Sequence, residues 1–567
     1  MQARPTRLGS WVRTSGSLWR ALQATVWCCA ALASNAWASP EGDPSDDPAS
    51  TVIPTPEELE KAGAVIGHIV IINSNVFDTS VPEDNKALFR LANRLHIRTR
   101  GEVIRGELLI TEGQLYSDRL VKESERILRA NRYLYDAQIV PFRYHDNKVD
   151  LEVRSRDVWT LKPGISFGRS GGNNSTSFQV EESNFLGRGK EINIERKSDV
   201  DRTETTLRYT DPHVWGTWNQ FSGMFSDNSD GKLREVTAAH PFYSLDSRWA
   251  AALLATDWDR IDSRYDRGHV IGKFNHRQEI LDLSFGLSRG LVGGRAFRWT
   301  AGAAYESDRF DLAAVPLGPG VLPQERRLAY PFVGLEMVED RYEERRNQDQ
   351  IDRTEDYYAG KLFRARLGYA STAYGSDRNA VIVKLDGGTS FEPSPAVTIM
   401  ADAKAAGRLE SGSLKNATLA AEAKYYWRIS DRQLSYVSLS GTVTEDLDAE
   451  HQLLLGGDNG LRGYPLRYQD GTSMALLTLE HRIYSDYYLF RLFHVGGAVF
   501  FDAGRTWGRG NGAPSNEGML KDVGLGLRLG QSRSAFGNVI HVDLAFPLDG
   551  DPSINKVQFV VETKRSF

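Results

Sequence analysis

Apolar and polar positions alternate with a period of two through much of the second half of the chain. In "DVGLGLRLG" (522–530), Val523, Leu525, Leu527 and Leu529 alternate with Gly524, Gly526, Arg528 and Gly530. In "VIHVDLAFPL" (539–548), Ile540, Val542, Leu544 and Phe546 alternate with His541, Asp543 and Ala545. Val557, Phe559 and Val561 then share one face, with Gln558 and Glu562 on the other. One apolar face and one polar or tiny face, repeated between turn signals, is the dyad pattern of a transmembrane antiparallel β-barrel. Residues 64–158 break the pattern. "AVIGHIVIINSNVFD" begins as a strand and "NKALFRLANRLH" reads as a helix. "YSDRLVKESERILRANRYLY" puts Leu120, Ser124, Ile127 and Leu128 on one helical face, with Ser117 as N-cap. "DAQIVPFRY" and "KVDLEVRS" then read as a hairpin around His145-Asp146-Asn147. The expected architecture is a small α+β domain at 64–158 and a barrel at 159–567 of about 16 strands, an even number.

The N-terminus adds a compartment. No acidic residue precedes Glu41, while Arg4, Arg7, Arg13 and Arg20 lead into an apolar stretch from Ala21 to Ala33 and an A-x-A pattern at Ala36-Trp37-Ala38. Residues 1–38 read as a signal peptide, since the apolar run is short of the ~20 residues a spanning helix needs. Cys28 and Cys29, the two cysteines of the chain, fall inside it. The mature chain is therefore expected to lack disulfide and thiolate chemistry. Its 65 basic residues would face 74 acidic ones. A balance of that sign argues against nucleic acid as a partner. Residues 39–63, acidic and proline-rich, read as a flexible leader.

Charged runs without periodicity read as solvated loops. On that ground "VEDRYEERRNQDQIDRTED" (338–356) is expected to be an extracellular loop, and "LAAVPLGPGVLPQERR" (312–327) a second one. "GISFG" (164–168) matches a nucleophile-elbow pattern, but no helix follows Ser166 as such an elbow needs. The histidines show no metal-ligand spacing. No enzyme activity, cofactor or metal is expected.

A β-α-α-β-β order containing "ITEGQLYSDRLVKESERILRANRYL" resembles a POTRA domain, and a POTRA followed by a barrel resembles the BamA/TamA-like superfamily of outer-membrane insertases and two-partner-secretion transporters. Four barrel stretches carry the likeness in order: "NFLGRG" (184–189), "YTDPHVWG" (209–216), "LRGYP" (461–465) and "FFDAGRTWG" (500–508). The third resembles the arginine tip of that superfamily's inward-folded loop and the fourth its F-x-D-x-G strand.

Parity speaks to the same residues. Ala475, Leu477, Leu479 and Ile483 face outward, so Glu480 faces the lumen; Val495, Val499 and Phe501 face outward, so Asp502 faces it too. Two inward carboxylates are costly unless a cation meets them, and an arginine fork can bond carboxylates bidentately. Arg462, with Gly463 and Tyr464 at the loop tip and Gly504 beside Asp502, is expected to pin the loop to Glu480 and Asp502. A solvated Arg462 stays open as the alternative.

The resemblance implies an outer-membrane protein of a Gram-negative bacterium, its POTRA domain periplasmic, that assembles outer-membrane proteins or translocates polypeptides. Its implied partners are client polypeptides at the POTRA edge and a lateral barrel seam, outer-membrane lipids, and accessory lipoproteins. A passive pore, or lipid in place of protein handling, are the alternatives.

Overall fold

The computed structural model describes residues 53–313, 322–349, 351, 354–490, 492–508, 510, 518–531, 539–550 and 552–564. The expected signal peptide, residues 39–52 of the expected leader, residues 314–321 of the 312–327 loop, and the chain terminus from 565 onward lie outside them.

The N-terminal unit contains α1 (Pro56–Lys61), β1 (Val65–Ser74), α2 (Ala87–Leu95), α3 (Gly101–Gly106), α4 (Asp118–Ala130), β2 (Leu134–His145) and β3 (Lys148–Asp157). β3 is the central strand, parallel to β1 and antiparallel to β2. The tight β2–β3 turn uses Asp146 and Asn147 at φ 47° and 58°, a left-handed pair whose twist matches a hairpin. Leu59, Ile66, Ile104, Val121, Leu128, Leu134, Leu151 and Val153 form one buried core.

Two expectations change here. The leader is not flexible throughout: Thr55 and Glu58 cap α1 reciprocally, and Leu59 of α1 is fully buried in the core. α4 buries Val121, Ser124 and Leu128, spaced i, i+3, i+7, while Leu120 only packs against the core margin and Ser117 makes no side-chain cap.

The sheet edges are also blunted. On β2, Arg129 donates to the Ala137 carbonyl at 3.2 Å and Glu125 accepts from the Ile139 N–H at 2.6 Å. On β1, Glu112 accepts from the Ile69 N–H at 3.0 Å and Arg105 donates to its carbonyl at 2.8 Å. Side chains thus occupy backbone groups a docking strand would need. β3 is paired on both sides, so the edge of the β2–β3 hairpin is β2.

The barrel is a closed sheet of 20 strands, from Leu161–Ser170 to Gln558–Lys564, joined in chain order with antiparallel neighbours. This exceeds the expected 16 because many connections are only two residues long, such as 267–268, 293–294 and 411–412. Less chain goes into loops, so more strands fit. The first six strands have 8 to 10 residues each. The next two strands are longer, with 18 residues in Trp249–Asp266 and 24 in His269–Val292. Inward and outward faces follow the alternation: Leu525 and Ile483 are exposed, while Glu480, Asp502 and Asp543 are buried.

Closure is weakest between first and last strands. Among the described residues the register there is one pair, Val561 with Arg169, whereas the first two strands pair from Leu161↔Glu182 through to Ser170↔Asn173.

The stretch 338–356 is not a free extracellular loop. Its ends form a hairpin, Tyr342–Arg346 with Thr354–Tyr358, at the end of the barrel that carries the N-terminal unit. Arg129 of α4 holds Asp356 at 2.6 Å and Glu344 at 2.8 Å, and the Arg126 guanidinium lies 4.0 Å from the Tyr342 ring centre. The hairpin tip reaches into the lumen, where Tyr426 donates to Asp349 at 3.1 Å. Asp356 and Glu344 thus meet a counter-charge on another element.

Candidate functional site: an arginine lock in the barrel lumen

A barrel of this circumference leaves a lumen too wide for wall side chains alone to fill. Two inserts enter it, the hairpin from one end and residues 446–472 from the other. The latter joins Gln433–Glu445 to Ser473–Leu489 and folds inward instead of arching over the rim. A short pairing, Leu453–Leu455 with Gln469–Gly471, closes its base. Arg326 holds Asp448 at 2.8 Å and Glu450 at 2.9 Å, and Arg467 holds Asp201 bidentately at 2.7 and 2.5 Å.

Arg462 stands at the tip, 5% exposed. Its Nε and Nη2 donate to the two oxygens of Asp502 at 2.7 and 3.0 Å, a fork on one carboxylate. Its Nη1 donates to Glu480 at 3.0 Å and to Asp543 at 3.2 Å. The guanidinium carbon lies 3.3 Å from the Phe500 ring centre, which adds a cation–π contact. The solvated alternative does not describe this side chain.

The other expected residues surround it. Gly463 donates its N–H to Asp522 at 3.0 Å, and a Cβ on it would sit 2.7 Å from the Asp522 Cβ, so only glycine lets the backbone come this close. The Tyr464 hydroxyl donates to the Lys521 carbonyl at 2.7 Å and accepts the Lys521 N–H at 3.0 Å. Gly504 faces inward two residues after Asp502, and a Cβ there would press on Leu455 at 3.1 Å, so its role is to make room for the loop base. Glu480 and Asp502 are ligands of the arginine; Gly504 shapes the wall.

Three partners escaped the sequence reading. Asp543 is the third carboxylate on Arg462, and Arg528 binds both Asp543 and Glu480, the latter at 3.1 Å. Arg482 donates to Glu480 at 3.0 Å and is fully buried. All three share inward parity with residues already noted on the same strands, and that parity was the available signal. Arg462, Arg482 and Arg528 stand against Glu480, Asp502 and Asp543, and Asp522, which accepts the Gly463 N–H, is a fourth buried carboxylate beside them.

The loop also holds strands on both flanks of the weak seam. On one side Ser170 of the first strand donates to the Gly457 carbonyl at 2.6 Å, and the Gly171 position abuts Leu466. On the other, Arg462 holds the penultimate strand through Asp543, and Tyr464 holds the strand before it through Lys521.

Comparison with known proteins covers much of the same ground. The Omp85 superfamily domain matches residues 324–564. Solved structures with similar folds include BamA from Haemophilus ducreyi lacking POTRA domains 1-3, at 13% identity and TM-score 0.38 over 88% of this chain and 84% of that one. They include CdiB from Acinetobacter baumannii, at 11% and 0.43 over 88% and 73%, and CdiB from Escherichia coli, at 12% and 0.45 over 89% and 77%. The matched region holds Arg462 and every one of its carboxylate partners. Over residues 324–564, therefore, the chain is similar to the Omp85 superfamily domain.

Proposed function

We propose that this outer-membrane protein inserts polypeptides into the outer membrane or passes them across it, without enzymatic chemistry, with its N-terminal unit a periplasmic POTRA domain. The carrying observation is the seam: among the described residues one registered pair joins the first and last strands, and an inward loop holds the first strand on one flank and the penultimate strand on the other. A closed sheet that is continuous everywhere else has one place to part, and a passing strand can pair with either exposed edge. The order of the N-terminal unit, a strand, three helices and a hairpin, supports the POTRA reading, with one helix more than the sequence suggested. Its capped edges direct attention to the seam as the place of client pairing; docking at β2 would have to displace Glu125 and Arg129. A passive pore fits poorly, because loop and hairpin enter the lumen from both ends.

Cysteines at Val561 and Arg169 test this. Oxidised in cells, the pair should fail to restore the outer-membrane and secreted protein profile of a deletion strain, and reductant should restore it. Full restoration by the oxidised protein would overturn the proposal.

A further inference from the structure

The N-terminal unit carries an exposed face that neither the lumen lock nor the seam uses. In α2, Phe89 turns inward and stacks on Phe77, with ring centres 4.2 Å apart, and Asn93 bonds the Phe77 backbone. The opposite side of α2 presents Leu88, Leu91 and Leu95, spaced i, i+3, i+7, and Ile97 follows at its end; they are 64%, 50%, 66% and 55% exposed. Apolar exposure on this scale, contiguous on one face, marks an interaction surface.

Its charge is equally one-sided. From 85 to 101 the sequence "NKALFRLANRLHIRTRG" carries Lys86, Arg90, Arg94, Arg98 and Arg100 and no acidic residue, in a chain of net charge −5. On the helical wheel Arg90 and Arg94 flank the leucine stripe on one side. A basic amphipathic helix of this form suits the plane of an anionic membrane surface, with leucines among the acyl chains and arginine stems reaching the headgroups.

The position of α2 fits the same occupant. Ile97 Cγ2 lies 3.4 Å from where a side chain on Gly187 would begin, and Arg100 donates its N–H to the Gly187 carbonyl at 3.0 Å. Gly187 belongs to the turn Phe185–Gly187 at the foot of the barrel, where Phe185 and Leu186 are exposed. Above them the lipid-facing side chains Val180, Phe178 and Ile194 continue up the wall. The apolar face of α2 therefore runs on from the barrel's own lipid-contacting surface.

We propose that α2 is a membrane-surface anchor: Leu88, Leu91, Leu95 and Ile97 insert into the leaflet beside the N-terminal unit, and Arg90, Arg94 and Arg98 bind its anionic headgroups. The unit then hangs from the bilayer as well as from the barrel, and its angle beneath the barrel is set by lipid.

The test uses the full chain with Cys28→Ser and Cys29→Ser, single cysteines at Leu91, Leu95 or Asp146, and an environment-sensitive fluorophore, in nanodiscs of phosphatidylcholine with phosphatidylglycerol. Labels at Leu91 and Leu95 should shift to the blue and lose intensity when brominated acyl chains are supplied, while the exposed Asp146 label should not. Arg90→Glu with Arg94→Glu should abolish the shift, and the buried Phe77–Phe89 stack guards against unfolding as its cause, checked by unchanged circular dichroism. Labels quenched by aqueous iodide would overturn the proposal, as would labels shielded from both quenchers, which would mean that a protein covers the face.

Discussion

Arg482 donates from Nη1 to the backbone carbonyl of Gln348 at 3.0 Å, so a barrel wall residue ties the hairpin tip into the lock. The same guanidinium donates from Nε to Glu480, which also receives Arg462. A continuous polar path thus runs from Arg129 of α4, through the hairpin, to the tip of the inward loop. The two inserts meet on one glutamate.

That path predicts coupling. Arg482→Met removes both donors while keeping bulk in the wall. Hydrogen exchange should rise at Gln348 and also at Gly460–Gly463, although no loop residue is altered. A rise confined to the hairpin would mean that the two inserts move independently.

Arg462→Ala leaves three buried carboxylates short of a cation. One-sided removal of a buried pair typically costs about 3–5 kcal/mol, and the near-complete burial of Asp502 and Asp543 puts this site at the upper end. The barrel ladder is untouched, so the expected result is a folded barrel with a protease-sensitive loop and raised conductance in planar bilayers. Arg462→Lys should rescue poorly, because a point charge cannot fork Asp502 and reach Glu480 together. Combining Arg462→Ala with Asp502→Asn should be milder than the sum of the single losses; strict additivity would dissociate the two residues.

Gly457→Val tests the grip on the first strands. A Cβ at this position would lie 2.3 Å from the Tyr464 carbonyl oxygen and 2.9 Å from the Gly171 Cα, both backbone atoms that cannot turn aside. The loop should leave the first hairpin, and proteases should cut between 456 and 467. A loop as resistant as the wild type would show that this contact holds nothing.

The junction of the N-terminal unit and the barrel should sense pH. Burial pushes the Glu107 carboxyl up to about 7 from 4.5, against the opposing hydrogen bond that the Tyr133 hydroxyl donates at 3.0 Å. An acid with a raised folded pKa contributes its stability below 4.5 and loses it as pH rises through about 7. The swing is at most about 3 kcal/mol. His213, 3.5 Å away on a barrel turn and held below its usual pKa by burial, acts in the opposite sense. The difference between wild type and Glu107→Gln isolates the glutamate. Exchange in 101–133, corrected for intrinsic rate, should rise from pH 5.5 to 8 in the wild type and less in Glu107→Gln. Equal rises would remove Glu107 from the account.

Parity made much of the lock legible. A period of two places every second residue on the inner wall, so the sequence alone puts Glu480 and Asp502 in the lumen. The same rule applied to Asp543, Arg482 and Arg528, yet isolated inward charges say nothing about which of them converge; that depends on strand register around the barrel. The hairpin was illegible for a different reason. A run such as 338–356 looks alike whether water or counter-charges on distant elements solvate it, and Arg129 and Arg482 lie more than a hundred residues away on either side. Strand number was hidden because two-residue turns leave little mark between long alternating runs.

The uneven wall has a consequence for the lipid around it. A strand of 9 residues is about 31 Å long, and a tilt near 40° reduces its height to roughly 23 Å, below the ~30 Å of hydrocarbon in a typical bilayer. The first six strands are of this length, as is Val539–Pro547 on the other flank of the seam, while the next two strands, Trp249–Asp266 and His269–Val292, are about twice as long or more. The bilayer is expected to be thinner beside the seam than beside Trp249–Asp266 and His269–Val292, a difference that electron microscopy in nanodiscs would measure directly. Lipid of uniform thickness around the barrel would refute it. Where the hydrocarbon is thinnest, polar backbone crosses it at least cost, and that place is the side on which the sheet can part.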